Sequence, residues 1–235
     1  MAEGSRSLTR GRAARVSRGM LSEFRCRRAG GGVGKRAWAL WIVMGTLVLS
    51  GVVSRGATAF DPEAEFAKGT TIVGLQIGGG VQNNIADDSA ISGISFLTVT
   101  PRLSHLPFEP FGSGWLRSAI EPGLEGWFQY YVEPRVFTAE GLKAALRYHF
   151  IGVGPLVPYL EVTAGAGGTN LNVPETRSHF TFVLEGGAGV SYHVAPAVAV
   201  NIGYRFQHIS NGNTAGPNRG VNSNTGVLGV SYFFH

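Results

Sequence analysis

His208 and Ser210 are separated by one residue and could together cleave an ester. Residues i and i+2 lie on the same face of a β-strand, close enough for their side chains to share a hydrogen bond. In such a pair the imidazole takes the hydroxyl proton and the alkoxide attacks an ester carbonyl. The pair therefore predicts acyl-ester chemistry, in which nearby N–H donors would stabilise the oxyanion.

The residues before this pair predict a strand whose apolar face ends at His208 and Ser210. From position 198 onward the even-numbered residues are apolar, whereas the odd-numbered ones are mostly small, polar or charged. An isolated His-x-Ser pair is common, and the Asn and Gly residues that follow are ordinary turn formers. The position of this pair is the informative feature, because a row of apolar side chains otherwise has no reason to end in polar ones. The apolar row is Val198, Val200, Ile202, Tyr204 and Phe206.

The chain from Phe60 onward predicts eight strands, because segments of alternating polarity are separated by clusters of Gly, Pro, Asn and Asp. Connections near 81–90, 132–138, 169–178 and 210–223 are mostly longer and more polar than 152–156 and 194–195, although 104–117 is a long exception. Such asymmetry between the two ends is typical of outer-membrane barrels. The expected strands are 69–80, 91–103, 118–131, 139–151, 157–168, 179–193, 196–209 and 224–235.

Two kinds of β-barrel are consistent with strands that each have one apolar face and one polar face. A lipocalin-like barrel points its apolar face inward around a ligand, whereas a membrane barrel turns it toward lipid. The polar face is rich in glycine and its charges nearly balance, which favours a crowded, paired interior. The sequence thus predicts an all-β, eight-stranded antiparallel transmembrane β-barrel. The balancing charges are Glu125, Glu161 and Glu185 against Lys143, Arg147 and Arg205.

Aromatic and histidine residues give two further expectations from the same parity. Aromatic residues near strand ends would form girdles at the membrane surfaces. Three histidines have interior parity, and none has the partner spacing of a metal site. The girdle set is Trp127, Tyr130, Tyr131, Tyr148, Phe150, Phe180, Tyr232, Phe233 and Phe234, and the histidines are His149, His179 and His193.

Residues 1–59 predict an export signal. They carry 11 Lys and Arg and 2 acids, whereas residues 60–235 carry 9 and 13, so the basicity is confined to the leader and nucleic-acid binding loses its support. An uncharged run from 37 to 53 and Ala57-Thr58-Ala59 follow the basic region, as in a cleaved signal peptide. A retained membrane anchor is the alternative, and translation could begin at Met20. The only cysteine, Cys26, lies in this leader.

The run His208-Ile209-Ser210-Asn211, followed by Pro217-Asn218 and Gly220, resembles the signature of the PagL-type lipid A 3-O-deacylases, the bacterial acyloxyacyl hydrolase family. The resemblance covers residues 60–235 and is sharpest over 204–222. It implies an outer-membrane barrel with a Ser-His-acid triad on its lipid-facing surface, acting without a metal or cofactor. Ser210 would be the nucleophile and His208 the base, and Asn211 and Asn218 would position groups or bind the oxyanion.

One residue departs from the family pattern. Asn222 stands where the family's triad carries a glutamate, and no Asp or Glu occurs from His208 to His235. An asparagine oxygen can orient an imidazole but cannot offset the charge of an imidazolium. Three alternatives stay open: a weaker Ser-His-Asn triad, an acid from another loop, or loss of activity. The candidate acids are Asp87, Asp88 and Glu175.

These observations predict an outer-membrane serine esterase that removes the 3-O-linked acyl chain of lipid A in lipopolysaccharide. The partners expected are lipopolysaccharide and membrane lipid, and a homodimer is left open. Two alternatives are a small structural barrel without turnover and a soluble, lipid-binding barrel of lipocalin type.

Overall fold

The computed structural model of the protein describes residues 60–83 and 92–235, which fold into eight long strands. All eight predicted strands are present, and all of their ends lie within four residues of the expected positions. A one-turn helix, α1, spans Pro62–Glu65 before the first strand. The strands are β1 (Thr71–Asn83), β2 (Ser95–His105), β3 (Ser118–Glu133), β4 (Phe137–Phe150), β5 (Leu156–Thr169), β6 (Phe180–Ala195), β7 (Val198–Ser210) and β8 (Val221–Phe234).

Antiparallel pairing of neighbouring strands closes the sheet into a barrel. Each strand pairs with the next along the chain, and β1 pairs with β8 from Thr71↔Phe234 to Asn83↔Asn222. Closure gives every strand two hydrogen-bonded neighbours, so the barrel has no free sheet edge. This is the one way in which strands satisfy their backbone groups inside a lipid bilayer.

The apolar face of each strand lies on the outside of the barrel. Along β7, Ile202 is 65% exposed and Tyr204 48%, whereas Asn201 and Arg205 are almost fully buried. The other strands alternate in the same way. A lipocalin-type barrel would have the opposite arrangement, so that alternative was wrong and the transmembrane barrel is confirmed.

Ion pairs fill the middle of the interior. Arg205 contacts three carboxylates, with N···O distances of 2.7 Å to Glu161, 2.9 Å to Glu125 and 3.1 Å to Glu185. Lys143 Nζ lies 2.6 Å from Glu185 and 2.9 Å from Glu125. Pairing offsets the large cost of removing these charges from water. The six predicted residues all take part, and the structure adds Arg102 and Glu121.

Two apolar clusters close the interior above and below the ion pairs, and they correct part of the girdle prediction. Trp127, Tyr131 and Phe233 are buried inside the barrel and belong to these clusters. The expectation that they face the membrane surface was therefore wrong. The remaining six of the set lie outside, where Tyr130, Phe180, Tyr232 and Phe234 are exposed and Tyr148 and Phe150 are half-buried.

The connections define two ends of the barrel. Of the described residues, the loop end carries 92–94, 134–136, 170–179 and 211–220, and the opposite end carries 106–117, 151–155 and 196–197. The β3–β4 connection is shorter than predicted, because pairing continues to Tyr131↔Phe137. Within the described residues, no helix has the length and apolarity to cross a membrane. The predicted signal peptide, with its boundary at residue 59, lies outside the described residues.

Candidate active site

His208 and Ser210 lie at the loop end of β7, on the outer face of the barrel. Both side chains are half-buried and continue the exposed row of Ile202 and Tyr204. Their neighbours Gln207 and Ile209 point into the interior and are buried. The imidazole and the hydroxyl are therefore on the lipid-facing wall, as the parity predicted.

Asn222 is the cross-strand partner of His208. The two residues face each other in the β7–β8 register, and the Nδ1 atom of His208 lies 2.7 Å from Asn222 Oδ1. A carbonyl oxygen only accepts hydrogen bonds, so this contact assigns the proton to Nδ1. In the neutral imidazole with this tautomer, Nε2 is the unprotonated nitrogen, which is the form that a general base needs.

Gly220 allows the loop to pass close to the imidazole. Its φ is +74°, and a Cβ atom added there would lie 2.5 Å from His208 Cε1 and 3.0 Å from Nε2. Only glycine accepts this backbone conformation without strain and leaves room for the ring. The glycine of the sequence motif thus has a physical role beside the imidazole.

Within the described residues, no hydrogen bond joins the hydroxyl of Ser210 to the imidazole. Catalytic hydrogen bonds are often long or misaligned before substrate binds and shorten in the reacting complex. Ser210 is also the cross-strand partner of Phe182, an exposed aromatic residue of β6. The hydroxyl is therefore bordered by apolar surface on which an acyl chain can lie.

Asn211 and Asn218 hold together the loop that follows Ser210. Asn211 is fully buried, and its Nδ2 donates to the carbonyl oxygens of Arg177, Ala215 and Pro217. Asn218 Oδ1 accepts from the backbone N–H of Asn211 at 2.9 Å, and its Nδ2 donates to Asn213. Of the two roles that the sequence left open for Asn211, this geometry favours positioning.

Glu175 was one candidate for the missing acid, and its carboxylate is engaged elsewhere. It accepts hydrogen bonds from Gln82 Nε2 at 2.9 Å and from the backbone N–H of Ser92 at 2.6 Å. Burial alone would raise the pKa of Glu175, but the hydrogen bonds from Ser92 and Gln82 outweigh this and lower the pKa. Asp87 and Asp88 lie outside the described residues.

Three polar side chains next to His208 and Asn222 were missed by sequence reasoning. Asn224 Oδ1 accepts from Tyr204 Oη at 2.7 Å and from Asn83 Nδ2 at 2.9 Å, beside the pair of His208 and Asn222. The sequence does contain a signal, since Asn222 and Asn224 alternate on an outward face that is otherwise apolar. Polar groups therefore cover this lipid-facing wall near the loop end of the barrel.

The closed barrel, its apolar exterior and its paired interior charges define an integral β-barrel protein of the outer membrane. The sequence model of the family described as "Lipid A 3-O-deacylase (PagL)" matches residues 105–231, more than half of the chain, and the protein belongs to this family. It is thereby an outer-membrane lipid A deacylase by class. These comparisons say nothing of the homodimer left open above, which stays a prediction.

Solved structures of small barrels are similar in fold. The crystal structure of the outer membrane enzyme PagL shares 18% identity, with a TM-score of 0.48, over 67% of this chain and 97% of that chain. Neisserial surface protein A shares 22% identity, with a TM-score of 0.47, over 71% of this chain and all of that chain. The search of curated proteins found no match.

Proposed function

We propose that the protein hydrolyses the 3-O-linked acyl ester of lipid A, with Ser210 as nucleophile and His208 as general base. The observation that supports this most is the contact between His208 Nδ1 and Asn222 Oδ1 on the wall that carries Ser210. It leaves Nε2 available as a base at the lipid-facing surface. An ester of a membrane lipid can reach that surface without leaving the bilayer.

The reaction follows the logic of serine esterases. His208 Nε2 takes the proton of the Ser210 hydroxyl as Oγ attacks the ester carbonyl carbon, and a tetrahedral intermediate forms. The bond to the sugar oxygen then breaks, and the imidazolium returns the proton to that oxygen. Water, activated by the same imidazole, attacks the acyl-enzyme and releases the fatty acid, which restores Ser210.

Asn222 orients the imidazole in this proposal. Its oxygen holds the Nδ1–H and so fixes the tautomer, but an amide carries no charge to stabilise the imidazolium. In a serine protease, replacing the triad acid by its amide lowers the rate about 10⁴-fold. We therefore expect slow turnover.

Asn218 and backbone N–H groups of the 211–220 loop are the proposed oxyanion donors. The Nδ2 of Asn218 has two hydrogens, and one of them is used by Asn213. Asn211 is assigned to positioning, because its Nδ2 is occupied by three carbonyl groups. An oxyanion donor typically contributes 10²- to 10³-fold to the rate, about 2.7–4 kcal/mol.

Release of fatty acid from purified lipid A in detergent micelles tests the proposal. Ser210→Ala and His208→Gln should each abolish release, whereas Ser95→Ala, a serine on β2 at the same end of the barrel, should not. A barrel without turnover is the second candidate, since Asn222 replaces the acid and Ser210 is not bonded to the imidazole. Equal, background release by the wild type and Ser210→Ala would support that candidate.

A further inference from the structure

A cavity of about 580 Å³ opens at the loop end, between the β5–β6 and β7–β8 loops. One wall belongs to residues 170–172 and 177–180 and the other to residues 214–216. No side chain that lines it takes part in the hydrolysis proposed above, although residues 214–216 belong to the 211–220 loop whose backbone N–H groups are proposed as oxyanion donors. The cavity lies beside the site, because the second wall begins four residues after Ser210.

The charged groups of the cavity are basic. Arg177 and His179 line it and are exposed, and none of the described residues that line it is acidic. Arg177 Nε donates to Asn172 Oδ1 at 2.9 Å, which holds the side chain in place. Among the described residues, no carboxylate pairs with this guanidinium. Its two Nη groups can therefore form the bidentate contact that arginine makes with phosphate.

His179 corrects an expectation from parity. Interior parity placed it inside the barrel, but β6 begins one residue later, at Phe180, and His179 is exposed in the loop. The prediction failed because strand parity does not extend into a loop. The histidine thus lies beside Arg177 in the cavity.

The loop residue next to the nucleophile joins the two walls. Asn211 Nδ2 donates to Arg177 O at 3.2 Å and to Ala215 O at 2.8 Å, one carbonyl from each wall. The cavity and Ser210 are therefore held in a fixed relation by a side chain that is itself fully buried.

An aromatic pair connects the cavity to the nucleophile along the outer surface. Phe180 lines the cavity and packs edge-on against Phe182, with ring centroids 5.1 Å apart. Phe182 is the cross-strand partner of Ser210. A lipid could therefore lay an acyl chain on this aromatic surface while its polar head enters the cavity.

We infer that this cavity binds a phosphate group of lipid A, whose sugar backbone carries both ester-linked chains and phosphates. The inference rests on the proposed function, because it places the phosphate at a fixed distance from the ester that Ser210 attacks. Arg177 supplies the bidentate contact and His179 a second donor. The cavity would then determine which ester of the lipid reaches the nucleophile.

Binding to core-free lipid A, whose only anions are phosphates, tests the inference. The Ser210→Ala protein is compared with the same protein carrying Arg177→Gln, on this lipid and on its phosphatase-treated form. A charge-assisted contact at an exposed position predicts about a tenfold weaker Kd for the phosphorylated lipid. Binding of the treated lipid should not change. Arg135→Gln, at another exposed arginine of the loop end, should change neither.

Equal weakening on both lipids, or none on the phosphorylated one, would overturn the inference. An effect seen only with whole lipopolysaccharide would assign the cavity to acidic core sugars and would also overturn it. In protein with Ser210 intact, Arg177→Gln should raise KM and leave kcat unchanged. The binding assay needs no turnover, so an inactive wild type would contradict the proposed function alone. Intact hydrolysis by the wild type, together with unaltered lipid binding by Arg177→Gln, would contradict only the phosphate site.

Discussion

At the scale of single residues, the partner of the imidazole sets the rate that the proposed mechanism can reach. Asn222 holds His208 at 2.7 Å through an oxygen that carries no charge. A carboxylate in the same place would keep the orientation and would also stabilise the imidazolium that forms as Ser210 loses its proton. The site is thus built for orientation without charge compensation.

Asn222→Asp should therefore raise kcat, because it places a carboxylate oxygen where the amide oxygen now lies. We expect an increase of about tenfold or more, since the reverse change in a serine protease costs about 10⁴. Fatty-acid release under saturating lipid A measures it. Asn224→Asp is the matched control, as it adds the same charge two residues away on the same outer face. An unchanged or lower kcat in Asn222→Asp would show that the imidazole is not the base.

Gly220→Ala should lower kcat by displacing the imidazole. The added Cβ would lie 2.5 Å from His208 Cε1, on a backbone whose φ of +74° disfavours alanine. Gly226→Ala, on β8 where a Cβ meets nothing within 4 Å, is the control. Both proteins should keep the barrel, as seen by circular dichroism. Full activity in Gly220→Ala would mean that the ring position is not needed for hydrolysis.

Sequence reasoning predicted the outward placement of His208 and Ser210, which the structure confirms, but not the loop contacts around them. His208, Ser210 and Asn222 were identified from strand parity and the family resemblance, because parity decides which side of a closed sheet a residue faces. The structural role of Asn211 could not be predicted from the sequence, since its three acceptors are loop carbonyl groups that follow no periodic pattern. Parity also misplaced His179, which lies just outside its strand.

At the scale of elements, one residue, Glu175, joins three connections of the loop end through its carboxylate and its backbone carbonyl. The side chain of Glu175 accepts from Gln82 at the end of β1 and from Ser92 before β2. The backbone carbonyl oxygen of Glu175 accepts from the backbone N–H of Arg219, at 2.7 Å, in the loop that carries Asn218. The β5–β6 loop therefore supports the loop of the active site.

The hydrogen bonds that the Glu175 carboxylate accepts give the loop end a defined pH dependence. Because the pKa of Glu175 is lowered in the folded protein, its stabilisation is complete above the ordinary glutamate value of about 4.3 and is lost as the pH falls through the lowered value. Hydrogen exchange of the Ser92 amide, corrected for its intrinsic rate, should stay slow from pH 7 to about 4.3 and rise only below that. Glu175→Gln should remove this dependence, and Glu133→Gln should not. A rise near pH 6 would contradict the assignment.

The strands themselves were predictable because a membrane barrel repeats one simple pattern. Alternation with period two located all eight strands, and the glycine-rich, charged face correctly indicated the interior. Arg102 and Glu121 were missed from the ion-pair network, as the faces of β2 and of the start of β3 were not separated. The girdle prediction failed for Trp127 because aromatic residues also fill the ends of the interior.

At the scale of the whole molecule, the interior charges act as one unit. Arg205 is in contact with Glu125, Glu161 and Glu185 at once, and these acids are shared with Lys143 and Arg147. Removing one member leaves buried charges without compensation. The network fills the inside of the barrel wall, and the proposed reacting groups His208 and Ser210 lie on its outside.

Arg205→Ala should destabilise the barrel by about 3–5 kcal/mol, the usual cost of breaking a buried ion pair from one side. Urea unfolding in detergent, followed by the shift of the folded band in gel electrophoresis, measures the change. Arg135→Ala, at an exposed arginine, should leave the midpoint where it is. A midpoint as high in Arg205→Ala as in the wild type would show that the network contributes specificity but little stability.

Fragment-ion mass spectrometry of lipid A from cells that express the wild type or Ser210→Ala tests the central claim most directly. The wild type should yield lipid A that lacks one acyl chain, with the loss at position 3, and Ser210→Ala should yield lipid A with the full acyl number. Identical lipid A from both strains, or loss of a chain at another position, would contradict the account.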